Sequence, residues 1–84
     1  MSVSHEVHLW GALQPFADGA PSVLVQAATI RDLFRELTKT YPGMAAQIER
    51  GVAVSMNGKI YRDQWDIQLI RGAEIYIMPR IAGG

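Results

Sequence analysis

The sequence TIRDLFRELTKTY at residues 29–41 decides the fold, because it is the clearest amphipathic helix in the chain. Thr29 is a favourable N-cap, and Asp32 three residues later places an acid near the positive end of the helix dipole. Pro42-Gly43 then ends the helix. One stripe of apolar side chains recurs every three or four residues and consists of Ile30, Leu33, Phe34, Leu37 and Tyr41. A single helix with one apolar stripe needs a sheet to cover that stripe, so strands are expected on both sides of it in the chain.

Two strands are predicted before the helix. Residues 5–10 alternate between apolar and polar, with Val7 and Leu9 on one face, which is typical of a half-buried strand. Residues 11–21 predict a loop or wide turn, because they include Pro15, Asp18, Gly19 and Pro21. Residues 22–26 form a second short strand, which we expect to pair back on the first as a hairpin.

A second hairpin is predicted after the helix. Residues 44–50 could form a further short helix that ends at Gly51. Residues 52–56 then alternate as a third strand. Asn57-Gly58 predicts a type I′ turn, because both central residues of that turn need positive φ. Residues 59–62 would be the returning strand.

The last strand follows a less regular segment. Residues 63–71 lack a clear period and are expected to add three side chains to the core, namely Ile67, Leu69 and Ile70. Gly72 marks a turn. Residues 73–78 form the final strand, with Ile75 and Ile77 on one face, and Pro79 ends it because proline has no amide hydrogen.

This order of hairpin, helix, hairpin and last strand predicts an α+β protein of the β-grasp (ubiquitin-like) type. We expect a mixed sheet of four to five strands, covered by one main helix, with the last strand inside the sheet. The domain would comprise residues 1–79. Residues 80–84 would leave it as a flexible C-terminal tail.

Composition narrows the classes of function. The 84 residues allow one domain, and eight basic side chains balance eight acidic ones, so neither nucleic acid nor a membrane surface is expected as a partner. Cysteine is absent, and His5 and His8 fall on opposite faces of a strand, so no metal site is predicted. No signal peptide or apolar span is evident. We expect a cytoplasmic carrier or binding protein, not an enzyme.

The C-terminal sequence Arg80-Ile81-Ala82-Gly83-Gly84 is the candidate functional element. A carboxylate is a poor electrophile and is usually activated by adenylation with ATP, in an enclosed site beside the nucleotide phosphates. Two successive glycines have no Cβ atoms, so this end of the chain is narrow and can adopt the backbone conformations needed to enter such a site. Ala82 also has a small side chain, while Ile81 and Arg80 can contact the mouth of the channel that leads to this site. Transfer of sulfur onto the acyl adenylate would then leave a thiocarboxylate at Gly84.

Four segments carry a resemblance to a known family: residues 41–43, 54–58, 71–77 and the ending 78–84. Together they resemble the ThiS/MoaD-type ubiquitin-like sulfur carriers, which include the small subunit of molybdopterin synthase and the thiamine sulfur carrier. The resemblance implies that Gly84 carries the adenylate and then the thiocarboxylate. It also implies three partners: an E1-like adenylating enzyme that uses ATP, a sulfur donor and an acceptor synthase subunit. No cofactor would be bound by the carrier itself, and the pathway stays open among molybdopterin, thiamine and related biosynthesis.

Two other functions stay open. Residues 79–83 and 9–14 also resemble the ubiquitin-like domain of lambda-type phage tail assembly proteins, in which the chain continues beyond the glycine region. A ubiquitin-like protein modifier would use the same adenylate but would form an amide with lysine. A modifier would form this amide and a phage assembly protein would not, so an experiment can separate these two functions.

Several further side chains have two possible roles. Trp10 and Trp65 are either partner contacts or are partly buried at the sheet edge. Asp63 and Asp66 are interpreted as turn formers and not as an acid–base pair. Three arginines either guide the protein onto an acidic partner surface or are simply solvated, namely Arg62, Arg71 and Arg80.

Overall fold

The computed structural model describes residues 3–80 and has the predicted α+β architecture. In chain order its elements are β1 (Val3–Leu9), a 3₁₀ helix (Gln14–Ala17), β2 (Ser22–Ala27), α1 (Ile30–Thr40), α2 (Met44–Arg50), β3 (Val52–Met56), β4 (Lys59–Tyr61) and β5 (Ile75–Pro79). The five strands form one sheet in the order β2-β1-β5-β3-β4. Strands β1 and β5 are parallel, and the other neighbours are antiparallel. This is the β-grasp arrangement, with the last strand inside the sheet as predicted.

Helix α1 covers the sheet with the predicted stripe. Its N-cap is confirmed, since the Thr29 hydroxyl accepts a hydrogen bond from the Asp32 amide at 3.2 Å. The core-facing side chains of α1 are Ile30, Leu33, Phe34 and Leu37. They pack in one core with buried apolar side chains of the strands, namely Val7, Leu9, Val23, Val25, Ala27, Val52, Val54, Met56, Ile75 and Ile77. The helical period of 3.6 residues puts these apolar side chains on one face of α1, and the strand period of two puts alternate residues on one face of the sheet. The two apolar faces therefore meet in one continuous core.

The segment between β4 and β5 lies across the first turn of α1. The amides of Ile30 and Arg31 donate to the carbonyls of Ile67 and Trp65, at 3.1 and 2.8 Å. These bonds satisfy amides that a helix leaves unpaired at its start. Ile67 and Leu69 are half-buried against the core, as predicted.

The prediction that Ile70 contributes to the core is wrong, because its side chain is 54% exposed. The segment runs extended past Thr29, where Gln68 forms an isolated bridge. Alternation along it turns residues 67 and 69 inward. Ile70 follows them and begins the turn closed by the Ala73 amide, which donates to the Ile70 carbonyl. Its side chain therefore points to solvent.

The segment 11–21 is more ordered than the predicted loop. It contains the 3₁₀ helix, and two of its side chains, Leu13 and Ala17, are buried in the core. The Gln14 side-chain amide donates to the Leu9 carbonyl at 3.0 Å. These contacts fold the segment back against the end of β1.

The predicted type I′ turn is confirmed, since Asn57 and Gly58 have φ values of 52° and 85°. Asn57 also anchors the start of β5. Its backbone amide donates to the Glu74 carbonyl, and its side-chain oxygen accepts from the Glu74 amide, both at 2.9 Å. The turn that joins β3 to β4 thus also helps to fix the register of β5.

Gly51 connects α2, β3 and the chain after β5. Its φ of 120° is unfavourable for any residue with a Cβ. We expect Gly51→Ala to lower the free energy of unfolding by about 1–2 kcal/mol, measured by urea denaturation. The matched control is Gly11→Ala, since an added Cβ at Gly11 has no neighbour within 4 Å and that glycine has no positive φ. Equal midpoints for the two variants would contradict the assignment of strain to Gly51.

Candidate functional site

Strand β5 leads directly to the candidate tail. Pro79 is its last residue and pairs with Val52, and the next amide, that of Arg80, donates to the Gly51 carbonyl at 3.0 Å. These contacts keep Arg80 with the folded domain, one residue beyond the boundary predicted for the tail. The remaining candidate residues, Ile81, Ala82, Gly83 and Gly84, lie outside the described residues.

The Arg80 side chain is held by the segment that follows β4. Its Nη2 atom donates to the Asp63 carboxylate at 3.0 Å and also to the Arg62 carbonyl oxygen. We call this set of contacts, together with the backbone bond to Gly51, the Arg80 clasp. It was not expected from the sequence, in which Asp63 was interpreted as a turn former.

A shallow apolar groove lies beside Arg80 on the sheet face opposite the helices. It has a volume of about 160 Å³. Register places Ala53 of β3 beside Met78 of β5, and both line the groove. Trp10 and Ile60 are 48% and 47% exposed at its walls. We call it the root groove, lined by Trp10, Ala53, Ile60, Arg62, Met78, Pro79 and Arg80.

A second groove lies on the other side of the chain at the same end of the sheet. Its volume is about 390 Å³, and its lining includes Leu13, Gln47 and Arg50. Pro79 and Arg80 line both grooves, so the chain leaves the sheet between them. The guanidinium groups of Arg50, Arg62 and Arg80 thus belong to one end of the sheet. Arg80 is paired with Asp63, so the positive charge that favours an anionic partner surface at this end is that of Arg50 and Arg62.

The structure separates the other candidate side chains. Arg71 lies in the turn before β5, and thus at the opposite end of that strand from Arg80. Trp65 is partly buried, with its ring edge-to-face on Phe34 at a centroid distance of 4.8 Å. Asp66 forms a 2.9 Å ion pair with Arg31. The two aspartates therefore serve different arginines and do not form an acid–base pair.

Within residues 3–80, no group of three His, Cys, Asp or Glu side chains is close enough to hold a metal ion. His5 is buried, and His8 stacks on Tyr76 on the outer face. None of the helices in the same residues is long and apolar enough to cross a membrane.

The root groove was missed by the sequence patterns, although one signal for it exists. Ala53, Ile60 and Met78 are apolar at strand positions that face away from the helices. Apolar residues on a face expected to be solvated mark interaction surfaces when they cluster. Their clustering depends on the pairing of β5 with β3, and these two strands are separated in the chain by β4 and residues 62–74.

Comparison with known proteins gives a family match and a set of structural matches. The model of the ThiS family matches residues 7–84. No curated protein matches the chain. The solution structure of small archaeal modifier protein 1 (SAMP1) from Methanosarcina acetivorans superimposes with a TM-score of 0.82 and 23% identity, covering 100% of this chain and 99% of that one.

Two further structures are similar at comparable identity. A protein named molybdopterin converting factor, subunit 1, from Pyrococcus furiosus has a TM-score of 0.78 and 22% identity, covering 95% of this chain and 100% of that one. A chain of the BexX/CysO complex of Amycolatopsis orientalis matches with a TM-score of 0.75 and 21% identity, covering 94% of this chain and 98% of that one. At these identities the structural matches show the fold, which is that of ubiquitin-like sulfur carriers and small modifiers.

Proposed function

The chain belongs to the ThiS family, and from this premise we propose that it is a sulfur carrier whose reacting group is the carboxylate of Gly84. The observation that carries the proposal is the position of β5. This strand lies between β1 and β3 and leads to the tail at the end of the sheet where two grooves meet. A tail rooted in the inner part of a sheet has a fixed starting point, while its last residues are small enough to enter a narrow site.

The chemistry proceeds in two steps. In the first, a Gly84 carboxylate oxygen attacks the α-phosphorus of ATP in the partner's active site, which releases pyrophosphate and forms an acyl adenylate. In the second, hydrosulfide from the sulfur donor attacks the acyl carbon, the bond from that carbon to the AMP oxygen breaks, and loss of the S–H proton leaves a thiocarboxylate. The carrier supplies the reacting carboxylate, and the E1-like partner supplies the catalysis. The need for ATP is compatible with a cytoplasmic location.

The root groove is the proposed docking surface for the activating enzyme. Trp10, Ile60 and Met78 offer apolar surface, and aromatic residues and methionine are enriched at protein interfaces. Arg62 stands at its margin and suits an acidic residue on the partner. The similar CysO protein is present in a complex with BexX, which supports docking of a partner protein on this fold.

The acceptor of the sulfur would be a synthase subunit in the biosynthesis of a cofactor or metabolite. The likeness to molybdopterin converting factor subunit 1 supports the molybdopterin pathway, and the family match supports thiamine or a related pathway. A second function, protein modification, is favoured by the likeness to SAMP1. It would use the same adenylate and form an amide with a lysine of another protein. The ThiS match across residues 7–84 supports both over a phage tail assembly role.

The proposal is tested on the unmodified chain with ATP, a sulfur donor and a cognate adenylating enzyme. Intact-mass spectrometry should show a gain equal to the difference between sulfur and oxygen. Because the chain has no cysteine, a thiol-selective alkylating reagent should label the product once and leave the starting protein unlabelled. An unchanged mass, with an enzyme shown to be active on another carrier, would overturn the proposal. Amide adducts on other proteins would instead establish the modifier function.

A further inference from the structure

The Arg80 clasp joins the end of β5 to two other parts of the fold. The Arg80 backbone bonds to Gly51, at the junction of α2 and β3, and the side chain bonds to the two residues that follow β4 by one and two positions, Arg62 and Asp63. The Arg80 side chain also lies against Gly51, where an added Cβ would be 3.7 Å from the Arg80 Cβ. Arg80 is therefore held on both sides of the chain just before the tail begins.

Stability does not account for this arrangement. The Asp63 side chain is 82% exposed, and an ion pair in such a position contributes little to folding. The Arg80 Nε atom is buried without a hydrogen-bond partner among residues 3–80, which opposes what the ion pair contributes. The clear consequence of the clasp is geometric, because it fixes the direction of the chain where it leaves the sheet.

We propose that Arg80 is a positioning residue, which the clasp with Asp63 holds so that the tail is aimed into the adenylation site. This inference rests on the proposed carrier function. The clasp stays closed in the complex with the activating enzyme. A residue that is already fixed in the free carrier adds no ordering cost when the tail enters the enzyme, and the clasp makes Arg80 such a residue.

The clasp predicts a different role for Arg80 from the one suggested by the sequence. If Arg80 gripped the channel mouth or an acidic partner surface, its guanidinium would have to leave Asp63, and Asp63 would compete with the partner. Removal of Asp63 would then strengthen binding to the enzyme. In a closed clasp, Asp63 and Arg80 act together, and loss of either one has the same consequence.

A double-mutant cycle separates these two roles. Asp63→Ala, Arg80→Ala and the double variant are compared by ATP-dependent pyrophosphate release, with the carrier as the varied substrate. We expect each single variant to raise KM by about fivefold, which corresponds to the loss of order at about one residue, with kcat little changed. The KM of the double variant should not exceed the higher of the two single-variant KM values, because both changes open the same clasp. Hydrogen exchange at the Arg80 amide, which bonds to Gly51, should become faster in Asp63→Ala.

The controls keep the test specific. Arg71→Ala removes the same charge at the opposite end of β5 and should leave KM unchanged, and all variants should keep the thermal midpoint of the parent protein. A lower or unchanged KM for Asp63→Ala, together with a raised KM for Arg80→Ala, would overturn the inference in favour of a direct partner contact by Arg80. Failure of the parent protein to release pyrophosphate would refute the carrier function itself, so the two failures are distinguishable.

Discussion

Deletion of Gly84 is expected to abolish the thiocarboxylate product. The new C-terminal carboxylate, on Gly83, would stop one residue short of the α-phosphate of ATP, and a displaced nucleophile loses most of the rate that correct positioning provides. The loss should appear in the same intact-mass assay as complete absence of the sulfur-containing species. The free energy of unfolding should change little, because a terminal glycine has no side chain to lose.

A second variant separates tail length from tail width. Gly83→Val keeps the length and places a β-branched side chain one residue before the carboxylate, so it should fail through steric exclusion from a narrow channel. Its free energy of unfolding should match that of the parent protein within about 0.5 kcal/mol, so the thermal midpoint should be nearly unchanged. Ala82→Gly is the matched control, since it changes a neighbouring small residue without adding bulk, and it should still form product. Normal product from the Gly84 deletion would show that the tail is not the reacting element.

Phe34→Ala is expected to cause the largest loss of stability, at about 3–5 kcal/mol. Phe34 is buried in α1 and its ring contacts Trp65, so truncation leaves a cavity under the segment that crosses the start of the helix. The free energy of unfolding of such a domain is only ~5–10 kcal/mol, so this change brings the protein close to unfolding. Urea denaturation followed by tryptophan fluorescence measures the midpoint, with Trp65 and Trp10 both contributing to the signal.

Phe16→Ala is the matched control, because Phe16 is the other phenylalanine of the chain and is 38% exposed on the 3₁₀ helix. It should cost much less than Phe34→Ala. Equal midpoints for the two variants would mean that the apolar stripe of α1 does not support the core. Such a result would contradict the fold prediction at its starting point.

Local signals in the sequence predicted most of the fold. The α1 stripe and its Thr29 cap, the Asn57-Gly58 turn and the alternation in β1 and β3 each arise from residues within a few positions of one another. Such patterns report period and turn geometry directly. The ends of elements were less accurate: β4 ends at Tyr61, and β5 starts at Ile75 and includes Pro79. Tertiary pairing, which no local pattern reports, sets these limits.

The segments without a period were predicted less well. Ile70 was assigned to the core by its apolar character alone, and the structure exposes it. Leu13 and Ala17 were assigned to a loop, and both are buried. In each case the outcome depends on how the segment is docked onto a neighbouring element, such as the first turn of α1 or the end of β1. Composition does not contain that information.

The functional element divides in the same way. The sequence by itself determined the identity of the candidate tail, because Gly83 and Gly84 are adjacent residues whose small size is a local property. Only the tertiary structure decided what surrounds the root of that tail. The root groove requires β1, β3, β4 and β5 to pair side by side, and the Arg80 clasp joins residues 17 positions apart. Contacts between distant residues form only once the chain has closed the intervening loop, so a pattern within a few residues cannot reveal them.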